Sequence, residues 1–210
     1  MKRIYIHGLG QTASSWNPVL DALPVTSDQN ICLDLSAIIK KQQTTYSNLY
    51  AAFADFCDTQ SEGIVLCGLS LGSVLALHYT IDHPDRVKAL ILIAPQYKMP
   101  KHLLKIQNML FRCMPKSMFK QTGFDKNAFI ALCSSMADLD FRKSLNKITC
   151  PVLILCGKKD KANKKAANEL SQTLKNAQHQ EIAKAGHEVN IEAPVQLATL
   201  LHQFYSQIER

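Results

Sequence analysis

Short apolar runs alternate with longer amphipathic segments along most of the chain. The apolar runs predict buried strands at 3–6, 30–34, 63–67, 88–93, 151–156 and about 178–183. Between them, apolar side chains recur at helical spacing, as in Leu49, Phe53 and Phe56. Strands that alternate with helices predict an α/β fold, with a six-stranded, mostly parallel sheet and helices on both faces.

One region interrupts this alternation, because no strand pattern is found between 95 and 150. The 98–124 segment is predicted to form a short helical lid above the sheet. Its apolar positions are Leu103, Ile106, Met109, Leu110 and Met114, and its basic positions are Lys98, Lys101, Lys105, Arg112, Lys116 and Lys120, with no acidic residue. A second helical pattern, at Phe129, Leu132, Cys133 and Met136, is either the return crossover or part of the same excursion.

Length and composition fit one globular domain, residues 1–210. The seven cysteines are odd in number and form no C-x-x-C pair, which favours free thiols in a reducing, cytoplasmic compartment. We expect no signal peptide, since only Ile4, Tyr5 and Ile6 follow the basic start before a glycine. The net charge of +7 lacks the interleaved aromatics of a nucleic-acid surface, so no nucleic-acid partner is expected.

The stretch GIVLCGLSLGSVLAL, residues 63–77, places Ser70 between two glycines at a strand-to-helix junction. A chain that turns from strand to helix in about five residues brings backbone segments close together, so glycines replace side chains that would clash. The run from 63 to 81 carries no charged residue, but its glycines, serines and histidine argue against a membrane span and stable membrane insertion. An ordinary turn is the alternative reading of Gly-x-Ser-x-Gly, and partner residues elsewhere have to decide between the two.

Ligands in open parallel sheets bind at the carboxyl ends of the strands. HGLG follows the first predicted strand and Ser70 the third. Asp160, in GKKD, follows the fifth, and His187, in AGHE, follows the sixth. Nucleophile, acid and base therefore occur in the order serine, aspartate, histidine.

With these four motifs in this order, the chain resembles the α/β-hydrolase fold family, in particular its small esterase-like and lactonase-like members. The resemblance covers nearly the whole chain. It implies that Ser70 is the nucleophile, His187 the general base and Asp160 the residue that orients the imidazole. It also implies an oxyanion hole from the backbone N–H groups of Leu9 and Leu71. The expected substrate is a small acyl compound, apolar or anionic, and no cofactor or metal is expected.

The sequence departs from the family pattern in two places. Family members usually carry two further strands before the strand that leads into HG, whereas that strand starts here at Lys2. The glycine-rich turn often found after the next strand is replaced by DLSAIIKKQQTT. The sequence does not identify the type of bond that is cleaved, since ester, thioester, lactone and carbon–carbon hydrolysis all use such a triad.

Other residues offer the same chemistry in less suitable places. Asp138 and Asp140 are the rival acids but lie far from a strand end, and Asp160 itself could be a surface charge among lysines. His7 is predicted to brace the oxyanion loop. The remaining rival histidines, assigned to packing or the surface, are His78, His83 and His202.

Two further function classes have to be weighed. GLGQTA after the first strand, with Asp34 ending the next, imitates the dinucleotide-binding fingerprint of a Rossmann oxidoreductase that uses NAD(P). That interpretation leaves Ser70, Asp160 and His187 without a role. A non-catalytic ligand-binding protein on a hydrolase scaffold is the other alternative.

Overall fold

A computed structural model of the protein describes residues 1–24, 28–39, 42–119 and 122–209, with the side chains of 102 and 103 left out. The strands are β1 (Lys2–Ile6), β2 (Asn30–Leu33), β3 (Ile64–Leu69), β4 (Val87–Ile93), β5 (Val152–Gly157) and β6 (Ala177–Ile182). The helices are α1 (Asn17–Asp21), α2 (Leu35–Ile38), α3 (Tyr46–Asp58), α4 (Leu71–Asp82), α5 (Lys101–Cys113), α6 (Lys126–Ser135), α7 (Lys164–Thr173), α8 (Val189–Glu192) and α9 (Pro194–Ile208). Short 3₁₀ turns occupy Ala13–Trp16, Lys116–Phe119 and Arg142–Lys147.

The six strands form one sheet in the order β2-β1-β3-β4-β5-β6. Every neighbouring pair is parallel. The chain moves outward from β1 to β2 and then returns to the other side of β1 with β3, which makes the boundary between β1 and β3 a topological switch point. Loops that leave such a point diverge and open a crevice for ligands. The loop after β1 and the turn after β3 border this crevice.

Side chains along the central strands alternate between two apolar layers, as the twofold repeat of a strand requires. Ile4 and Ile6 pack under α3 and α4 on one face, whereas Tyr5 packs against Trp16 and helix α9 on the other. Because both faces are covered, β3, β4 and β5 are buried almost throughout. The site at the strand ends thus stands on a rigid base.

The fold class predicted from the sequence is confirmed, including the number of strands and the crossover helices between them. The 98–124 segment contains α5 and the turn Lys116–Phe119, and α5 packs against α6. Lys120 lies outside the described residues, as does the side chain of Leu103. Met114 packs on the main core, whereas Met109 is 61% exposed. Within the described residues, no helix is long and apolar enough to cross a membrane.

Candidate active site

Ser70 lies at the sharp turn between β3 and α4. Its backbone has φ 53° and ψ −111°, a conformation that non-glycine residues rarely adopt and that costs about 1–3 kcal/mol. Hydrogen bonds on both sides hold this turn, because the Ser70 N–H donates to Ile93 O at 2.9 Å and the Ser73 hydroxyl donates to Ser70 O at 2.7 Å. The strain is therefore maintained by the surrounding structure.

The two glycines that flank Ser70 are explained by close backbone contacts. A Cβ atom on Gly68 would lie 2.2 Å from the carbonyl oxygen of Gly72, and one on Gly72 would lie 2.2 Å from that of Ile6. Movement of the first oxygen would displace helix α4, and movement of the second would displace strand β1. The pattern Gly-x-Ser-x-Gly is thus a packing requirement of this strand-to-helix turn.

Ser70, His187 and Asp160 are brought together in one chain of hydrogen bonds. The Nε2 atom of His187 lies 3.0 Å from Ser70 Oγ, and its Nδ1 atom lies 2.8 Å from Asp160 Oδ2. Both distances fall within hydrogen-bonding range. A proton on Nδ1, donated to the carboxylate, leaves the Nε2 lone pair free to accept the serine proton.

Asp160 is only 6% exposed although five lysines lie within five residues of it in the sequence. Burial by itself raises the pKa of this carboxyl, but hydrogen bonds from His187 and Asn163 outweigh it and hold the pKa below the usual value. Asp160 is therefore an anion at neutral pH. This environment supports a partner of His187 and does not fit a solvated surface charge.

Asn163 is a member of this group that the sequence reasoning missed. Its side-chain Nδ2 lies 3.0 Å from Asp160 Oδ1 and 2.8 Å from Oδ2. Gln96, just after β4, donates in turn to Asn163 Oδ1 at 2.8 Å. An asparagine before a helix is ordinarily read as a capping residue, so the sequence offered no signal for this contact.

Leu9 and Leu71 border the cavity beside Ser70, as expected of oxyanion-hole residues. Leu71 is the first residue of α4, where backbone N–H groups have no partner within the helix. Within the described part of the chain, no protein acceptor is found for either backbone N–H. Both groups are therefore available to an external oxygen, while their role in stabilising an oxyanion stays a prediction.

The loop that carries Leu9 is braced by His7, which is almost fully buried. Its Nδ1 lies 2.9 Å from Gly8 O, and its Nε2 accepts from the Leu35 N–H at 3.1 Å. Burial lowers the pKa of His7, so a neutral imidazole with its proton on Nδ1 satisfies both contacts. The structure agrees with the bracing role predicted for this histidine.

Two polar contacts hold the segment that carries His187. The side chains of Gln11 and Asn190 exchange hydrogen bonds of 3.2 and 3.1 Å, which tie this segment to the loop after β1. The carboxylate of Glu192 accepts from the backbone N–H groups of Gly186 at 2.8 Å and Glu188 at 3.1 Å. The residues directly before and after His187 are thereby fixed to one side chain. Sequence reasoning did not identify these supports.

The rival acids and histidines lie elsewhere. Asp138 pairs with Lys101, and Asp140 with Arg142, both at exposed positions. His78 stacks on Tyr50 with ring centroids 3.7 Å apart. His83 ends α4, and His202 lies on the exposed side of α9.

A cavity of about 500 Å³ opens above Ser70. Met99, Leu104, Ile106, Leu110 and Met136 supply apolar walls, and Gln96, Gln107 and Asn163 supply neutral polar groups. Among the lining side chains that are described, the ionisable acids and bases are Asp160 and His187, apart from the thiol of Cys133. The described residues also contain no cluster of three His, Cys, Asp or Glu that could hold a metal ion. The cavity therefore fits a neutral, partly apolar ligand.

Comparison with protein families identifies the fold independently of this geometry. The model of the alpha/beta hydrolase family matches residues 4–200. The chain belongs to the alpha/beta hydrolase family. This assignment removes the Rossmann alternative, and GLGQTA is accordingly the hydrolase loop after β1.

Three curated relatives of this alpha/beta hydrolase share 22–25% of its residues. It is 22% identical to "Monoacylglycerol lipase abhd6-A" of Xenopus laevis, over 98% of the chain and 75% of the relative. It is also 22% identical to a pimeloyl-[acyl-carrier protein] methyl ester esterase of Vibrio parahaemolyticus, over 88% of the chain and 86% of the relative. A bifunctional biotin-biosynthesis protein of Cellvibrio japonicus matches at 25%, over 98% of the chain but only 47% of that protein.

Solved structures of other proteins share the fold of this alpha/beta hydrolase. An esterase from Thermogutta terrifontis superposes with a TM-score of 0.80 at 18% identity, covering 100% of this chain and 91% of the esterase. An enol-lactonase from Burkholderia xenovorans gives a TM-score of 0.80 at 19% identity, covering 97% and 90%. At these identities the likeness concerns the fold alone.

Proposed function

We propose that the protein is a serine hydrolase that cleaves small, neutral acyl esters through an acyl-enzyme intermediate. The observation that carries the proposal is the continuous set of contacts from Ser70 Oγ to His187 Nε2, and from His187 Nδ1 to Asp160 Oδ2, at 3.0 and 2.8 Å. A serine hydroxyl is a weak nucleophile, and such contacts give it a base and give the base an orienting anion.

The reaction begins when His187 Nε2 takes the hydroxyl proton of Ser70 while Oγ attacks the acyl carbon. The carbonyl oxygen becomes an oxyanion, which accepts hydrogen bonds from the backbone N–H groups of Leu9 and Leu71. The carbon–oxygen bond to the leaving alcohol then breaks, and His187 returns its proton to that alcohol. A water molecule then attacks the acyl-Ser70 ester in the same way, with His187 taking its proton and returning it to Ser70 Oγ, and the carboxylic acid is released.

The cavity and the relatives support the substrate class. Apolar walls next to Ser70 suit an acyl chain, and the described lining holds no lysine or arginine to pair with an acidic acyl group. Of the two expectations for the substrate, apolar or anionic, the cavity favours the apolar one. Two of the curated relatives described above are named as a monoacylglycerol lipase and a methyl ester esterase, which favours esters over carbon–carbon bonds.

We also propose that the 98–124 segment is a lid within the single 1–210 domain. Ile106 and Leu110 of α5 line the cavity while more than half of each side chain is exposed to solvent. Apolar side chains at the mouth of a cavity can gain buried surface when an acyl chain enters. The described basic residues of this segment do not line the cavity, so any effect that they have on a charged ligand is on its approach.

A fluorophosphonate probe and a panel of p-nitrophenyl esters of increasing chain length test the proposed function. We expect covalent labelling at Ser70 and hydrolysis of neutral esters. The Ser70→Ala variant should not be labelled, and its kcat should fall by about 10⁶-fold. Ser61→Ala is the matched control, since Ser61 is exposed and lies just before β3, at the opposite end of this strand from Ser70. Absence of labelling and turnover in the folded wild-type protein favours the non-catalytic binding protein instead.

A further inference from the structure

Two side chains, Gln96 and Asn163, link the substrate cavity to the acid of the proposed triad. We propose that Asn163 is a positioning residue that fixes the Asp160 carboxylate toward His187, and that Gln96 in turn fixes the orientation of Asn163. This inference rests on the proposed hydrolase function and adds residues outside the Ser–His–Asp set.

Asn163 contacts Asp160 with both its backbone and its side chain. The backbone N–H donates to Asp160 Oδ1 at 3.3 Å, and the side-chain Nδ2 spans Oδ1 and Oδ2 at 3.0 and 2.8 Å. Both residues are more than nine-tenths buried. Because little water reaches the carboxylate, these donors supply most of the solvation that the anion loses on burial.

The direction of the Asn163 amide follows from Gln96. One terminal atom of Gln96 lies 3.3 Å from the backbone carbonyl oxygen of Ala162, which can only accept, so that atom is the amide nitrogen. The same nitrogen lies 2.8 Å from Asn163, whose facing atom must therefore be the oxygen Oδ1. The nitrogen of Asn163 is left to face Asp160, with its two hydrogens directed at the carboxylate.

This orientation also acts on His187. Asn163 Nδ2 lies 3.1 Å from His187 Nδ1, and an amide nitrogen offers no lone pair to accept a hydrogen bond. The Nδ1 proton therefore has Asp160 Oδ2 as its acceptor, and this carboxylate, held in place by Asn163, selects the tautomer that leaves Nε2 free for Ser70. The Asn163 donors also neutralise part of the negative charge that reaches the imidazole, so their removal strengthens the attraction between Asp160 and protonated His187.

The prediction is a higher pKa of His187 when Asn163 loses its amide. Asp160 is the charged group in contact with the ring. The other charges near by, Glu188 and Glu192 on the segment of His187 and Lys158, Lys159 and Lys161 beside Asp160, are unchanged in every variant. A difference in the pKa of His187 between variants therefore reports the contact of Asn163 with Asp160.

Two measurements on the full-length protein test this inference. NMR titration of the His187 ring, assigned with His187→Gln, gives its pKa without any substrate, and the acid limb of kcat/KM for a neutral p-nitrophenyl ester gives it kinetically. Asn163→Leu keeps the approximate volume and removes the donor. We expect the pKa to rise by about one unit and kcat to fall roughly 10- to 100-fold, with KM within about twofold of wild type.

The matched control is Asn168→Leu, the same substitution at an exposed position on α7, which is expected to match wild type in both measurements. If the Asn163→Leu variant does not fold, Asn163→Ala replaces it, and we expect a smaller rise in the pKa of His187. Gln96→Leu is also expected to raise the pKa, because it frees the Asn163 amide to turn.

An unchanged His187 pKa in both Asn163 variants overturns the inference even if kcat falls, since a structural loss lowers activity without moving a titration. The proposed function fails separately, when the folded wild type neither reacts with a fluorophosphonate nor cleaves esters. The NMR titration can still be read in that case, so the two failures are distinguishable.

Discussion

Substitution of one glycine outside the proposed triad is expected to inactivate the protein. Gly157 ends β5, and a Cβ atom there would lie 1.9 Å from the carbonyl oxygen of Gly186, directly before His187. Real Cβ atoms essentially never approach closer than 3.0 Å, so Gly157→Ala requires a movement of about 1.1 Å between the two segments.

The segment of His187 cannot absorb this movement freely. The Lys159 N–H donates to Ala185 O at 2.9 Å, and Glu192 holds the N–H groups on both sides of His187. His187 is therefore displaced from Ser70, Asp160 or both. Since a misplacement of about 1 Å can cost roughly 100-fold in rate, we expect kcat/KM for a neutral ester to fall at least that far.

Gly63→Ala is the matched control. Its added Cβ also meets a neighbour too closely, at 2.5 Å, but that neighbour is the flexible Lys88 side chain, which can swing aside. The assay combines ester kinetics and fluorophosphonate labelling with thermal unfolding, so that loss of fold is separated from loss of geometry. A folded Gly157→Ala protein with activity within about threefold of wild type refutes this reasoning.

Two further predictions concern the acid and the proposed lid. Asp160→Asn is expected to lower kcat by roughly 10⁴ by favouring the wrong imidazole tautomer, while Asp138→Asn leaves it unchanged; the opposite result would assign the acid to Asp138. If the basic residues of the 98–124 segment steer ligands, kcat/KM for an anionic ester falls with added salt more than that for a neutral ester, and reversing Lys105 and Arg112 to glutamate removes the difference. Equal salt responses in the wild type leave these residues as solubilising charge.

The architecture was predictable because it depends on patterns that a single sequence contains. β-Branched runs, helical spacing and the glycines around Ser70 each reflect a local requirement, whereas the order of the strands in the sheet was not predicted. Ser70, Asp160 and His187 could be picked out because each lies within five residues after the end of a strand, and parallel strands bring such positions to one edge.

The supports of the site were not predictable in the same way. Asn163, Gln96 and Asn190 act through contacts between distant loops, and no periodicity or motif marks an amide that will face a buried carboxylate. Likewise, the helical spacing of the 98–124 segment predicted α5 but did not separate the apolar residues that line the cavity from those that do not. Ile106 and Leu110 line it, whereas Met109, from the same predicted apolar face, does not.

The separation of Ser70 and His187 by 117 positions has a consequence for folding. Their contact closes only after β5 and β6 have joined the sheet, so a chain emerging from the ribosome can order its first four strands and still lack a competent centre. Contacts between such distant segments form slowly, because closing the long loop between them has a large entropic cost. Catalytic competence during refolding should therefore return after the helical circular-dichroism signal, and the delay measures the docking of the last third of the chain.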